Sequence, residues 1–204
     1  MRSAPLAHLA LALLLTPACV GDSRTSGSSG ASGTSGASGT SGTSGTPSGA
    51  KRIFVTSKKV RGDFGGRTGA DALCNAAARG AKTPLGGEFI AWLSDDHSDA
   101  KDGVPAETEW RLVGTETVVG TRANLTSGKL LAPILGDENG VTVAARVWTG
   151  TSAQGTKLAT RTCAEWSVVT GNGAVGDNGV LGAGFVESTD DPCSAQNSLY
   201  CLQR

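Results

Sequence analysis

The chain has 204 residues, with 18 Lys and Arg against 18 Asp and Glu and no formal net charge. That balance removes any net pull toward nucleic acid. Residues 1–18 have the layout of a secretion signal: Arg2 supplies the positive start, Leu9 to Leu15 the apolar run, and Ala18 a small residue before Cys19. The apolar run is too short to span a bilayer. Residues 19–50 are almost entirely Ser, Gly, Thr and Ala and cannot bury a core. Glycine recurs there every third residue from Gly27 to Gly45, the collagen period, but the only proline is Pro47. Without imino acids a triple helix does not form unaided, so a flexible stalk is expected, reaching roughly 30 Å. Residues 51–204 are then one domain of ordinary size with a real core.

Arg52 to Thr56 is a β-branched and aromatic strand signal, followed by a basic segment and the turn-rich Gly62-Asp63-Phe64-Gly65-Gly66. Thr68 and Asp71 have capping-box spacing, and Leu73, Ala76 and Ala77 place an apolar stripe on the helix that follows. Phe89 to Ser94 reads as a buried strand, and Asp95 to Glu107 as a polar loop. Trp110 to Val113 and Thr117 to Val119, split by Gly114, suggest a hairpin. Asn124 to Ile134 is weakly patterned, Gly136 to Gly140 is a turn, and Val141 to Trp148 returns to β character. Gly171 to Gly184 reads as a glycine-rich insert before the closing strand Leu199 to Leu202.

Apart from Cys19 the cysteines are Cys74, Cys163, Cys193 and Cys201. An even number in an exported chain predicts two disulfides in an oxidising compartment, with three pairings open. Zinc is the competing reading, but no close Cys-x-x-Cys spacing is present.

Two resemblances sharpen this picture. Leu15-Thr16-Pro17-Ala18-Cys19 resembles a bacterial lipoprotein processing site, departing from it at Thr16, where the family favours leucine. It implies acylation of Cys19 and an outer-membrane or cell-surface lipoprotein held to the membrane by its lipid. Gly69-Ala70-Asp71-x-x-Cys74, Ala91-Trp92-Leu93-Ser94, Val147-Trp148-x-Gly150, Gly155 to Leu158 and Cys163-Ala164-Glu165-Trp166, followed by Cys193 and the strand bearing Cys201, resemble the endostatin-like domain that ends collagens XV and XVIII. The same pattern is similar to a domain of bacterial surface lipoproteins. The resemblance implies an α+β, C-type-lectin-like body: a mixed sheet, one or two helices, and two nested disulfides, Cys74 with Cys201 and Cys163 with Cys193. It implies a monomeric extracellular binding or adhesion module, without a cofactor, whose partner is polysaccharide, matrix or another surface protein.

Candidate chemistry is sparse. Lys51, Arg52, Lys58, Lys59, Arg61 and Arg67 crowd one segment opposed only by Asp63, a polyanion-binding candidate. Heparin-binding endostatin-like domains use arginines, yet Ser167 follows Cys163-Ala164-Glu165-Trp166 here. Trp92, Trp148 and Trp166 are expected in the core, and Trp110, beside the polar loop, is expected to be partly exposed and available for ligand stacking. The oxygen-rich turn Asp137-Glu138-Asn139 is the calcium candidate, although acidic turn residues are usually turn chemistry, and the sugar-lectin calcium motifs are absent. The histidines of the endostatin zinc site are absent too. His97 is expected to be solvated, no nucleophile elbow is present, and catalysis is not expected. The alternative is an envelope-polysaccharide hydrolase using the acids of loop 95–109, namely Asp95, Asp96, Asp99 and Asp102, or a purely structural envelope protein.

Overall fold

The β-branched start of the domain forms β1 (Lys51–Val55), with Ile53, Phe54 and Val55 fully buried. In the computed structural model residues 50–204 are described; the expected secretion signal, the expected acylation site Cys19 and the expected tether up to residue 49 lie outside the described residues. After β1 come α1 (Gly66–Gly80), β2 (Phe89–Ala91) and a 3₁₀ turn (Ala100–Gly103). The hairpin β3 (Trp110–Leu112) and β4 (Val118–Gly120) and the short helix α2 (Arg122–Ser127) follow. The second half contains β5 (Arg146–Trp148), β6 (Asn172–Asp177), a 3₁₀ turn (Ala183–Phe185), β7 (Thr189–Pro192) and β8 (Tyr200–Gln203).

The larger sheet is mixed, in the order β2-β8-β1-β3-β4, and the smaller is antiparallel, β5-β6-β7. The last strand of the chain thus lies inside the larger sheet, between β1 and β2. Alternate residues of these strands face opposite cores. Ile53, Val55, Ile90, Tyr200 and Leu202 join Trp92 and Trp110 on one side. Phe54, Phe89, Ala91, Leu199 and Cys201 join Trp148, Trp166 and α1 on the other. Both faces being buried explains why Ile53 to Val55 of β1 and the whole of β2 are continuous apolar runs rather than alternating ones.

The cysteines pair as Cys74–Cys201 and Cys163–Cys193, spanning 127 and 30 residues. The first ties α1 to the interior strand β8. Chain-entropy arithmetic gives about 5 and 3.5 kcal/mol for these loops. The pairing fits an oxidising environment. Among the described residues no helix is long and apolar enough to cross a membrane.

Several expectations fail for identifiable reasons. Thr68 and Asp71 do not cap α1. The helix starts earlier, after Gly65 at φ 90°, and has no side-chain cap. Asp71 Oδ1 instead accepts the Ala91 amide at 2.7 Å, while Asn75, one turn on, accepts the Phe89 amide at 3.0 Å and donates to its carbonyl at 2.7 Å. Two helix side chains therefore complete the outer edge of β2, which leaves no open strand edge there. The helix stripe packed into the core is Ala70, Cys74 and Ala78; Leu73 and Ala77 are half-buried beside it, and Ala76 is exposed. The weakly patterned stretch contains α2, whose Asn124 Oδ1 accepts the Thr121 amide at 2.9 Å. Trp110 is fully buried, its indole donating to the Gln203 carbonyl at 3.0 Å, so it offers no face to a ligand.

The glycine-rich insert is no loop, because it contains β6, the middle strand of the smaller sheet. Its glycines make room: a Cβ on Gly176 would lie 1.7 Å from the Phe185 carbonyl oxygen. Gly176→Ala is therefore expected to destabilise by about 3 kcal/mol or more in denaturant unfolding. Gly182→Ala, where a Cβ meets nothing within 4 Å and φ is −85°, is expected to be neutral or to stabilise slightly.

Burial pushes the Asp71 carboxyl up from its ordinary value of 3.8, against the Ala91 amide and Arg67, which pull it down. A raised folded-state pKa means this group's contribution falls as pH rises from the ordinary value through the folded one. Asp71→Asn keeps an acceptor for Ala91 but cannot ionise. Thermal unfolding is expected to favour it increasingly over wild type across that window, whereas Asp71→Ala orphans the Ala91 amide and costs about 1–3 kcal/mol at every pH.

Candidate functional site

The segment after β1 runs beside α1 rather than packing flat on it, because Thr56, Val60 and Gly62 are drawn to the C-terminal segment. The Thr56 amide donates to the Leu199 carbonyl, Val60 and Asn197 exchange backbone hydrogen bonds, and the Gly62 amide donates to the Cys193 carbonyl at 2.8 Å. What remains between this segment and α1 is a groove made of two adjoining clefts. At one end lies a cleft of about 260 Å³ lined by Thr56, Lys58, Ala76, Ala77, Glu138 and Leu199. At the other is a wider one of about 530 Å³ lined by Arg61, Asp63, Phe64, Gly69, Ala72 and Gln196. Val60 and Leu73 line both. The half-buried apolar stripe of α1 is the wall of this groove.

The groove's rim is fixed by polar contacts. Glu138, nearly buried, accepts the Ser57 amide at 2.9 Å and the Ser57 hydroxyl, which sets the bend before Lys58. Phe64 lies against Trp166 with ring centroids 5.3 Å apart and planes 15° from parallel. Trp166 is in turn held by its indole donating to the Ser94 carbonyl at 2.9 Å and by its own carbonyl accepting the Gly65 amide at 3.0 Å.

Trp166 reaches that position from an unusual backbone. Cys163, Ala164, Glu165 and Trp166 all have φ between 46° and 59°, a left-handed turn without a glycine. Each such residue costs about 1–2 kcal/mol relative to right-handed geometry. The compensating contacts surround it. Cys163 is bonded to Cys193, and Glu165 accepts the Asp96 amide, the Thr162 hydroxyl at 3.0 Å and the Lys157 ammonium at 3.3 Å. A Cβ on Gly62 would sit 2.5 Å from Cys163 Sγ, so the groove wall passes directly against this bridge.

The six basic residues expected to form one patch divide among different tasks. Arg52 donates to the Leu112 and Thr115 carbonyls and pairs with Glu116 at 3.0 Å, which holds that exposed carboxyl below its usual range. Lys51 opens β1, where its amide donates to the Glu109 carbonyl. Arg67 turns to loop 95–109, donating to the Ser98 hydroxyl at 2.7 Å and the Asp99 carbonyl. Arg61 pairs with Asp63 at 3.1 Å on the groove rim. Lys58 and Lys59 are exposed and carry no ion pair among the described residues. Arg146, remote in sequence, joins Lys59 across Asn197 in a shallow cleft of about 310 Å³, although it already pairs with Asp191. Sequence proximity could not reveal this neighbour, which arrives through the pairing of Ser198 with β5.

Three of the four candidate acids of loop 95–109 are taken up by partners in the loop and at Lys157, while Asp102 stands in the first turn of the 3₁₀ segment. Asp95 accepts the His97 and Ser98 amides, Asp96 pairs with Lys157, and Asp99 accepts the Lys157 amide and pairs with Lys101 at 3.1 Å. His97 is exposed. The oxygen-rich turn is likewise occupied by its own backbone: Asp137 accepts the Asn139 and Val141 amides, and Asn139 accepts the Lys82 amide. Among the described residues no group of three His, Cys, Asp or Glu side chains converges. Tyr200, fully buried in the sheet, has its phenol pushed well up by burial, with Asp177 adding to the shift, and donates to the Phe185 carbonyl at 2.9 Å. It stays a neutral core donor.

No protein-family model and no curated protein matches the chain.

The Ser57–Glu138 clamp should set the order of the lysine-bearing rim. Glu138→Ala is expected to cost about 1–2 kcal/mol and to speed amide hydrogen exchange at residues 57–59 ahead of the rest of the domain. Unchanged exchange there would mean that the clamp does not hold the rim.

Proposed function

We propose that residues 51–204 are an extracellular binding module of endostatin-like, C-type-lectin-like build, carried on a stalk from an acylated Cys19 at the cell surface, and that the groove along α1 receives an acidic polysaccharide. The fold reading is supported by the two disulfides, which join the pairs that the endostatin-like resemblance implies. It is also supported by the mixed sheet in which the first and last strands are neighbours. The observation that carries the ligand reading is the pair Lys58 and Lys59. Both are exposed and lack an ion pair among the described residues, while Arg52, Arg61 and Arg67 are each committed to protein oxygens. Lys58 also lines the apolar groove. Lys59, next in the chain, borders instead the shallow cleft it shares with Arg146. An uncommitted ammonium beside an apolar channel, with a second one close by in the chain, attracts a polymer that has both anionic groups and C–H surface.

Such attraction between exposed charges weakens as salt screens it. The domain is expected to be retained on a heparin column and released as salt rises. Lys58→Ala/Lys59→Ala should elute at clearly lower salt, while Asp95→Asn/Asp99→Asn elutes with wild type. Retention that is indifferent to salt, or to the two lysines, would contradict the proposed site.

A further inference from the structure

We infer that the Phe64 end of the groove is a subsite for one uncharged pyranose unit of that polymer, an inference that rests on the polysaccharide reading above. A pyranose ring offers a C–H face and a rim of hydroxyls, and the residues here divide in the same way. Phe64 supplies an aromatic surface whose orientation is fixed by its near-parallel contact with Trp166. Val60, Ala72 and Leu73 extend that surface along the cleft. Asp63, Arg61 and Gln196 form the polar rim. A carboxylate accepts from two hydroxyls, while a guanidinium and an amide donate to others. Gln196 is exposed and makes no hydrogen bond among the described residues.

Charge assigns the kind of unit. Arg61 and Asp63 neutralise each other at 3.1 Å, so this end has no net charge to offer an anion. At the other end of the groove Lys58 makes no ion pair among the described residues, and the Glu138 carboxylate that shares its cleft is held by Ser57 instead. Leu73 touches both ends, and the helix between Gly69 and Ala77 is about 12 Å long. A chain lying along α1 would therefore place a neutral ring on Phe64 and an acidic unit beside Lys58. The partner class is a heteropolysaccharide in which charged and uncharged sugars alternate. A polymer of charge alone would leave the Phe64 subsite unused.

The test compares two polyanions on the whole mature domain: hyaluronan fragments, which alternate acidic and neutral rings, and poly-glutamate, which has charge but no sugar. Wild type is expected to bind hyaluronan more tightly. Phe64→Ala and Gln196→Ala should each weaken hyaluronan by about three- to tenfold and leave poly-glutamate unchanged. Lys58→Ala/Lys59→Ala should weaken both. Gln196 is exposed, so its variant reports on binding even if Phe64→Ala disturbs the Trp166 contact. If the subsite variants change neither polymer, or change both equally, the sugar subsite is overturned and charge alone governs binding. If wild type binds neither polymer, the polysaccharide reading falls, and the subsite with it.

Discussion

The final strand, β8, must enter the middle of the larger sheet, hydrogen-bonded to β1 on one side and β2 on the other, with Cys201 tied back to Cys74 on α1. Neither β2 nor the facing edge of β1 has its sheet partner until the last residues of the chain are present. The pairing joins the ends of the domain, so the loop that must close is long, and long-range closure is slow and entropically costly. Disulfide formation is the natural way to retain such a closure in a chain rich in glycine and turns. It also explains why α1 needs no side-chain cap. The helix is held at Cys74 and by Asp71 and Asn75 on the edge of β2, so tertiary contacts replace terminal ones.

The second bridge governs the groove rather than the sheet. Cys163 begins the left-handed turn that delivers Trp166 to Phe64, and Cys193 accepts the Gly62 amide on the opposite wall. One covalent link thus fixes both the floor contact and the wall of the cleft. The glycines at 62 and 173 are the space through which this sulfur passes, since a Cβ at either would fall within 2.8 Å of Cys163 Sγ. Backbone strain located beside a cleft, and compensated from several directions, is how a protein holds a surface in one shape.

Much of the frame was legible in the chain. β1, the Trp110–Val119 hairpin, the turn at residues 136–140 and the buried run at Phe89 rest on local patterns strong enough to survive folding. What local pattern could not show was competition between local and distant partners. Asp71 sits at a capping position but meets a strand edge 20 residues away. β6 hid because glycine lowers strand propensity, yet only glycine fits against Phe185 and Cys163. Trp110 lies beside a polar loop in sequence and beneath the sheet in space. The basic segment looked like one patch because charge was counted along the chain. In the fold its arginines are used internally, leaving Lys58 and Lys59 exposed and the half-buried Lys51 at the start of β1, while Phe64, the aromatic that does border a cleft, lay unremarked in a turn. A lone aromatic between glycines after a basic run was the only available hint.

The account stands on the groove between α1 and residues 56–64 being the surface through which this domain meets its partner. The most direct test is backbone amide NMR of the isotopically labelled domain titrated with an acidic oligosaccharide. The prediction is shifts that concentrate on Lys58, Lys59, Arg61, Phe64, Leu73 and Gln196, with loop 95–109 and the turn at 137–140 undisturbed. Saturable shifts confined to loop 95–109, with the groove silent, would contradict it.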